Sequence, residues 1–157
     1  MIRFALLVFA FLTVTQIPIP QQNPRPLYPQ DYFRSPVDYA IKLSGTFGEL
    51  RPNHFHAGID IKAKSGKTGQ NIYAAADGTV SRINIKSSGY GNALYINHPN
   101  GYTSVYAHLQ KFPKEITDYM HTQQYLDQNS ETEHYPTAGK FNFKKGDIIG
   151  TLGVSGR

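Results

Sequence analysis

Two dipeptides, Asp77-Gly78 and Asn100-Gly101, each stand between runs of alternating apolar and polar residues. An Asx-Gly pair readily takes the positive φ angles of a two-residue turn whose twist suits two antiparallel strands. Residues 71–76 and 79–85 flank the first pair, and residues 92–98 and 102–108 flank the second. The expected fold is therefore mainly β, an antiparallel meander. With 14 Gly, 10 Pro and no Trp, the composition favours strands and turns over a helical bundle.

Further strands are expected at 41–46, 59–63 and 148–154, with a short one at 141–143. One stretch breaks the pattern. Residues 113–127 open with Pro113, carry Glu115 and Asp118 early, and place Ile116, Tyr119, Met120 and Leu126 near one helical face. That spacing predicts a helix of about three to four turns. Residues 128–140 are polar and read as a loop. There is no internal repeat.

The N-terminus reads as a leader rather than as fold. Met1-Ile2-Arg3 is a short positive start, and Phe4 to Val14 is apolar except for Thr13. Residues 1–15 thus resemble a secretory signal peptide. The run is too short to span a bilayer comfortably. No Ala-x-Ala follows, so an uncleaved N-terminal anchor with weak membrane association is the alternative. Either way the rest is expected outside the cytoplasm: periplasmic, in the cell envelope, or extracellular. Residues 16–36 hold six prolines and form an extended lead-in. The folded domain is expected over 37–157.

The chain has no cysteine, which excludes disulfides, thiolate metal sites and thiol nucleophiles. A transition-metal site must then use His and carboxylates. The net charge of +5 could favour an anionic polymer. Its carriers are scattered, with Lys62, Lys64 and Lys67 only a thin cluster, and no nucleic-acid motif accompanies them. Nucleic acid is not an expected partner.

The densest chemistry lies in Asn53-His-Phe-His-Ala-Gly-Ile-Asp60. A catalytic zinc centre needs three protein ligands and an open position for water, and His with one carboxylate is a frequent set. His56 and Asp60 on a straight strand would share a face but lie roughly 13 Å apart. Gly58 between them lets the chain bend and bring them together. A surface histidine beside a turn aspartate explains the same spacing. His108 ends a strand whose alternation places Tyr102, Ser104, Tyr106 and His108 on one face. It could serve as a general base, as a donor to a developing oxyanion, or as a cap. His54 is a rim candidate, His98 a hairpin residue and His121 a solvated helix residue. His134 with Glu131 and Glu133 could bind a metal weakly, or simply form a polar loop.

In order, Phe55-His56-Ala-Gly-Ile-Asp60-Ile, Ala74-Ala-Ala-Asp-Gly-Thr-Val80, Gly89-Tyr-Gly-Asn92, His98-Pro-Asn-Gly-Tyr102, Tyr106-Ala-His-Leu109 and Lys145-Gly-Asp-Ile-Ile-Gly150 resemble the lysostaphin-type (LytM-like) zinc metallopeptidases. The likeness runs over residues 44–157. It implies an antiparallel β fold with a narrow groove and Zn2+ at its floor. It implies a secreted endopeptidase that hydrolyses peptide bonds in peptidoglycan cross-links or stems. By residue, it implies that His56 and Asp60 bind the metal and that His108 is a catalytic histidine beside the metal-bound water. Residues 113–140 look like an insertion that could flank the groove.

The family's second half-site is an H-x-H shortly after a Gly-x-Ser-Gly-like stretch. Here Gly153-Val-Ser-Gly-Arg157 matches that stretch and no H-x-H follows. The third ligand and a second catalytic histidine are therefore not among these residues. Three readings stand. The sequence is a fragment of an active enzyme; it is a non-catalytic wall-binding or amidase-activating relative; or it is a binding protein or other site outside the family, or one whose metal His54, His134 or another chain completes. Oligomeric state is not legible.

Overall fold

The computed structural model describes residues 30–52 and 54–156. The expected leader and most of the proline-rich lead-in lie outside them. The chain forms β1 (Leu43–Gly45), β2 (Asp60–Ile61), a 3-10 turn (Lys64–Gly66), β3 (Asn71–Tyr73), β4 (Gly78–Ile85), β5 (Ala93–Asn97), β6 (Thr103–Tyr106), β7 (Leu109–Lys111), α1 (Lys114–Asp127), β8 (Thr132–His134), β9 (Asn142–Phe143) and β10 (Ile148–Leu152). Every pairing is antiparallel, as expected. Among the described residues no helix is long and apolar enough to cross a membrane.

The strands divide into a two-stranded ribbon β1-β2, a sheet ordered β3-β10-β7, and a larger sheet ordered β6-β5-β4-β8. In the larger sheet β9 also pairs with β4, at Gly78 and Thr79, while β8 pairs with its far end at 83–85. Parity along β4 changes at a bulge, where Val80 and Arg82 oppose the adjacent residues Ile96 and Tyr95. The extra residue, Ser81, lets Val80 and Ile83 both point inward although they are three apart. They meet Leu94 and Ile96 of β5, Leu109 and Ile149 of the second sheet, and Ile116 and Met120 of α1 in one core.

The Asn100-Gly101 hairpin is present between β5 and β6. It uses a His98–Gly101 turn closed by a Gly101 N–H bond to the His98 carbonyl at 3.0 Å, with Gly101 alone at positive φ. Pro99 suits the second position of such a turn. The Asp77-Gly78 hairpin is not formed. β3 pairs with β10, and β4 pairs with β5, so the chain crosses between sheets here. The small residues Ala74, Ala75 and Ala76 pass through the core. Asp77 then accepts the Lys145 N–H at 2.7 Å and Lys144 Nζ at 3.1 Å. Gly78 is needed for closeness rather than for its φ, since a Cβ there would lie 2.6 Å from the Asn97 carbonyl.

Helix α1 falls within the range that its periodicity predicts. Ile116 and Met120 are fully buried, but Leu126 is 68% exposed and does not belong to the buried face. The stretch expected to be an unstructured loop contains β8. Its sequence, Thr-Glu-His, carries no apolar alternation; it pairs with β4 and buries Thr132. Glu133 takes Arg82 Nη2 at 3.0 Å and Lys86 Nζ at 2.9 Å across to β4. Packing also begins ahead of Val37: the Arg34 N–H bonds the Ala75 carbonyl at 2.8 Å, and Phe33 meets His98 edge-on.

Met120→Ala should cost about 2–5 kcal/mol in urea unfolding, and Leu126→Ala should stay within about 0.5 kcal/mol. The Tyr135 hydroxyl, with Lys86, draws the Glu133 carboxyl from 4.5 down to about 2. His134 and Thr132 likewise lower Asp127. A depressed carboxylate contributes stability that is present above its unfolded pKa and is lost as pH falls through the folded value. The thermal midpoint should therefore drop between about pH 5 and about pH 2, and Glu133→Gln should flatten that drop.

Candidate metal centre and groove

Residues 45–52 and 54–60 form the two sides of a narrow arm. The Gly48 N–H bonds the His56 carbonyl, the His56 N–H bonds the Glu49 carbonyl, and the Arg51 N–H bonds the His54 carbonyl, each at 2.8 Å. The arm ends where Gly45 of β1 pairs with Asp60 of β2. This antiparallel path, with a bend at Gly58, brings His56 Nε2 to 3.5 Å from Asp60 Oδ1. The two residues expected to meet do meet. Gly58, however, has no positive φ, and a Cβ there would touch nothing within 4 Å. The bend is set by the arm's pairing, and nothing in the structure requires glycine at 58.

The donor set fits zinc. Two ligands about 2.05 Å from a tetrahedral ion lie about 3.3 Å from each other, close to the observed separation. His56 Nδ1 donates to the Thr46 carbonyl at 3.0 Å, which leaves the Nε2 lone pair for the side facing Asp60. The other carboxylate oxygen, Oδ2, accepts Arg51 Nη2 at 2.8 Å. Among the described residues no group of three or more His, Asp or Glu could hold a metal. His54 is exposed, and its side chain completes no such cluster. His134 pairs with Asp127 at 2.8 Å rather than with Glu131 or Glu133.

His56 and Asp60 open onto a groove of ≈ 770 Å³ whose other wall includes Ser104, Tyr106 and His108. His108 lies past the end of β6, in a left-handed conformation with φ 58. Such a backbone is uncommon for a non-glycine residue, and here it is held from both sides. Its N–H bonds the Tyr90 carbonyl at 2.9 Å, and its Nδ1 donates to the Ser155 carbonyl at 2.7 Å. Nε2 is then the nitrogen able to take a proton from the groove. Ser155 Oγ in turn accepts the Asn92 N–H and donates to the Leu109 carbonyl, both at 2.9 Å. Simple alternation along the strand therefore stops at Tyr106. The turn after it carries His108 into the groove, and a backbone carbonyl sets its tautomer.

A buried polar chain lies beneath this wall. His98 Nδ1 donates to the Asp77 carbonyl at 2.7 Å, and its Nε2 is 2.8 Å from Ser104 Oγ. Ser104 Oγ is 3.1 Å from the Tyr106 hydroxyl, which accepts the Ala75 N–H at 2.8 Å. His98 thus serves the scaffold, as its place before the hairpin suggests. His121 is exposed on α1.

Comparison with known proteins gives the family. The profile described as "Peptidase family M23" matches residues 54–137, more than half of the chain. The chain belongs to peptidase family M23. It is 32% identical over 121 residues to the DD-carboxypeptidase/endopeptidase Mpg of Neisseria meningitidis serogroup B, covering 74% of this chain and 22% of that protein. It is 31% identical over 132 residues to the peptidoglycan DD-endopeptidase ShyC of Vibrio cholerae, covering 80% and 24% respectively. It is 42% identical over 67 residues to the murein hydrolase activator NlpD of Escherichia coli, covering 43% and 16%. The chain thus spans between a sixth and a quarter of the length of these relatives. At the level of family it is a metallopeptidase domain, with the mainly antiparallel β architecture of the LytM type.

The sequence pattern points to His56, Asp60 and His108, which the structure places around one groove, but not to Arg51, Glu49 and Gly45. Two charged residues five and seven positions before His56 were the available signal. Tyr106→Phe should cost about 1–3 kcal/mol in denaturant unfolding, because it leaves the buried Ala75 N–H without its acceptor.

Proposed function

We propose that this M23 domain belongs to a zinc-dependent endopeptidase that hydrolyses peptide bonds in bacterial peptidoglycan cross-links or stems, outside the cytoplasm. The observation that carries the reading is the approach of His56 Nε2 to Asp60 Oδ1 at 3.5 Å in a groove that His108 also lines. Family membership and relatives named for peptidoglycan endopeptidase activity support it. Zinc, when bound, would supply a Lewis acid and a water of lowered pKa. His56 and Asp60 would hold it. His108, with Nδ1 committed to the Ser155 carbonyl, presents Nε2 for a proton or a developing oxyanion. The apolar side chains Ile59, Ile61, Val105 and Leu152 line the same groove and would limit water around an extended peptide.

Two such ligands among the described residues would leave positions on the ion for a further group and for water. A second reading, a non-catalytic wall-binding or amidase-activating module, draws on the likeness to NlpD and on the lack of a three-ligand cluster among the described residues. That reading expects stimulation of an amidase on isolated sacculi with or without zinc.

In a longer form that carries a third ligand, His56→Ala or Asp60→Ala should abolish zinc binding in a metal titration. His108→Ala should keep zinc and lose about 10²–10⁴-fold in turnover of a peptidoglycan peptide. A fully active His56→Ala protein would defeat the assignment.

A further inference from the structure

Asp60 is hydrogen-bonded to a group that lies ahead of the residues the family profile matches. Arg51 sits on the strand of the arm opposite His56, and one nitrogen, Nη2, lies 2.8 Å from Asp60 Oδ2 and 2.8 Å from Glu49 Oε2. That nitrogen has two hydrogens, and each carboxylate takes one. Its 3.4 Å approach to His56 Nδ1 is therefore not a hydrogen bond, which agrees with Nδ1 giving its proton to Thr46. Arg51 Nε is buried and has no partner among the described residues. The arginine thus leaves one donor unmatched while bridging two carboxylates with a single nitrogen.

Gly45 lies where these groups meet. It is buried, and a Cβ there would lie 2.5 Å from Arg51 Nη2, 2.6 Å from Asp60 Oδ2 and 3.0 Å from Glu49 Oε2. Three charged groups converge on a point that only a missing side chain leaves open. Glu49 also offsets the guanidinium charge. The Glu49–Arg51–Asp60 set carries the net charge of one carboxylate, so a cation at Oδ1 would not meet an uncompensated arginine.

We propose that Arg51 is a positioning residue for Asp60: by holding Oδ2 it turns Oδ1 towards His56 Nε2 and presets the carboxylate for a divalent metal. This rests on the zinc reading of His56 and Asp60. Exposed ion pairs add little to stability, whereas partners that orient a metal ligand typically change affinity about 10–100-fold. The two roles therefore separate by experiment.

The test is a ZnCl2 titration of the 157-residue chain followed by NMR, reading the His56 imidazole nitrogens, together with the melting temperature of the metal-free protein. Arg51→Ala should weaken zinc about 10–100-fold with little change in melting. Gly45→Ala, which wedges the tips apart but keeps every charge, should weaken zinc in the same direction. Arg51→Lys, which keeps a cationic nitrogen with enough hydrogens for both carboxylates, should recover much of the loss. Equal zinc affinity in wild type, Arg51→Ala and Gly45→Ala would overturn the positioning role and leave the zinc site standing. So would a loss of affinity matched by a fall in metal-free melting in all three variants. If zinc leaves the wild-type His56 nitrogens unmoved, the zinc reading fails, and the positioning role fails with it.

Discussion

The site depends on the backbone pairing of the 45–60 arm. His56 and Asp60 are four residues apart, too far on a straight strand to share an ion. The arm's hydrogen bonds fold the chain back so that Gly48 and Glu49 face His56, and Gly45 faces Asp60. The arm buries little apolar surface of its own; Phe47, Leu50 and Phe55 on it are all exposed. Its shape comes from backbone hydrogen bonds, and the Glu49–Arg51–Asp60 ion pairs lie across its base. The same contacts thus also bring His56 and Asp60 to within 3.5 Å of each other.

The opposite wall follows a different logic. The β4–β5–β6 meander is a packed, well-paired platform, and His108 projects from the turn beyond it. The platform can hold a left-handed histidine because Tyr90 and Ser155 bind it from two separate loops. A charged arm therefore faces a rigid sheet edge across the groove. His108 lies on one side of that groove and His56 and Asp60 on the other.

Much of this was legible in the sequence, for identifiable reasons. Alternation around Asn100-Gly101, the periodicity of 114–127 and the His56–Asp60 spacing are local signals, and each appears where expected. What was not legible depends on distant partners. Asp77-Gly78 has a hairpin composition, but Lys144 and Lys145 take Asp77 into a crossover. The strand at 132–134 pairs with residues 83–85, some fifty positions earlier, with Arg82 and Lys86 on Glu133 beside that pairing. The tautomer of His108 is set by a carbonyl, which side-chain patterning does not report. Arg51 and Gly45 act through a contact that forms only once the arm has folded.

The most direct test of the account is an anomalous-scattering map at the zinc edge from crystals of the chain grown with ZnCl2. The account predicts a zinc peak within about 2.0–2.2 Å of both His56 Nε2 and Asp60 Oδ1, with Asp60 Oδ2 still on Arg51. Zinc found instead at the His134–Asp127 pair, with none between His56 and Asp60, would contradict it.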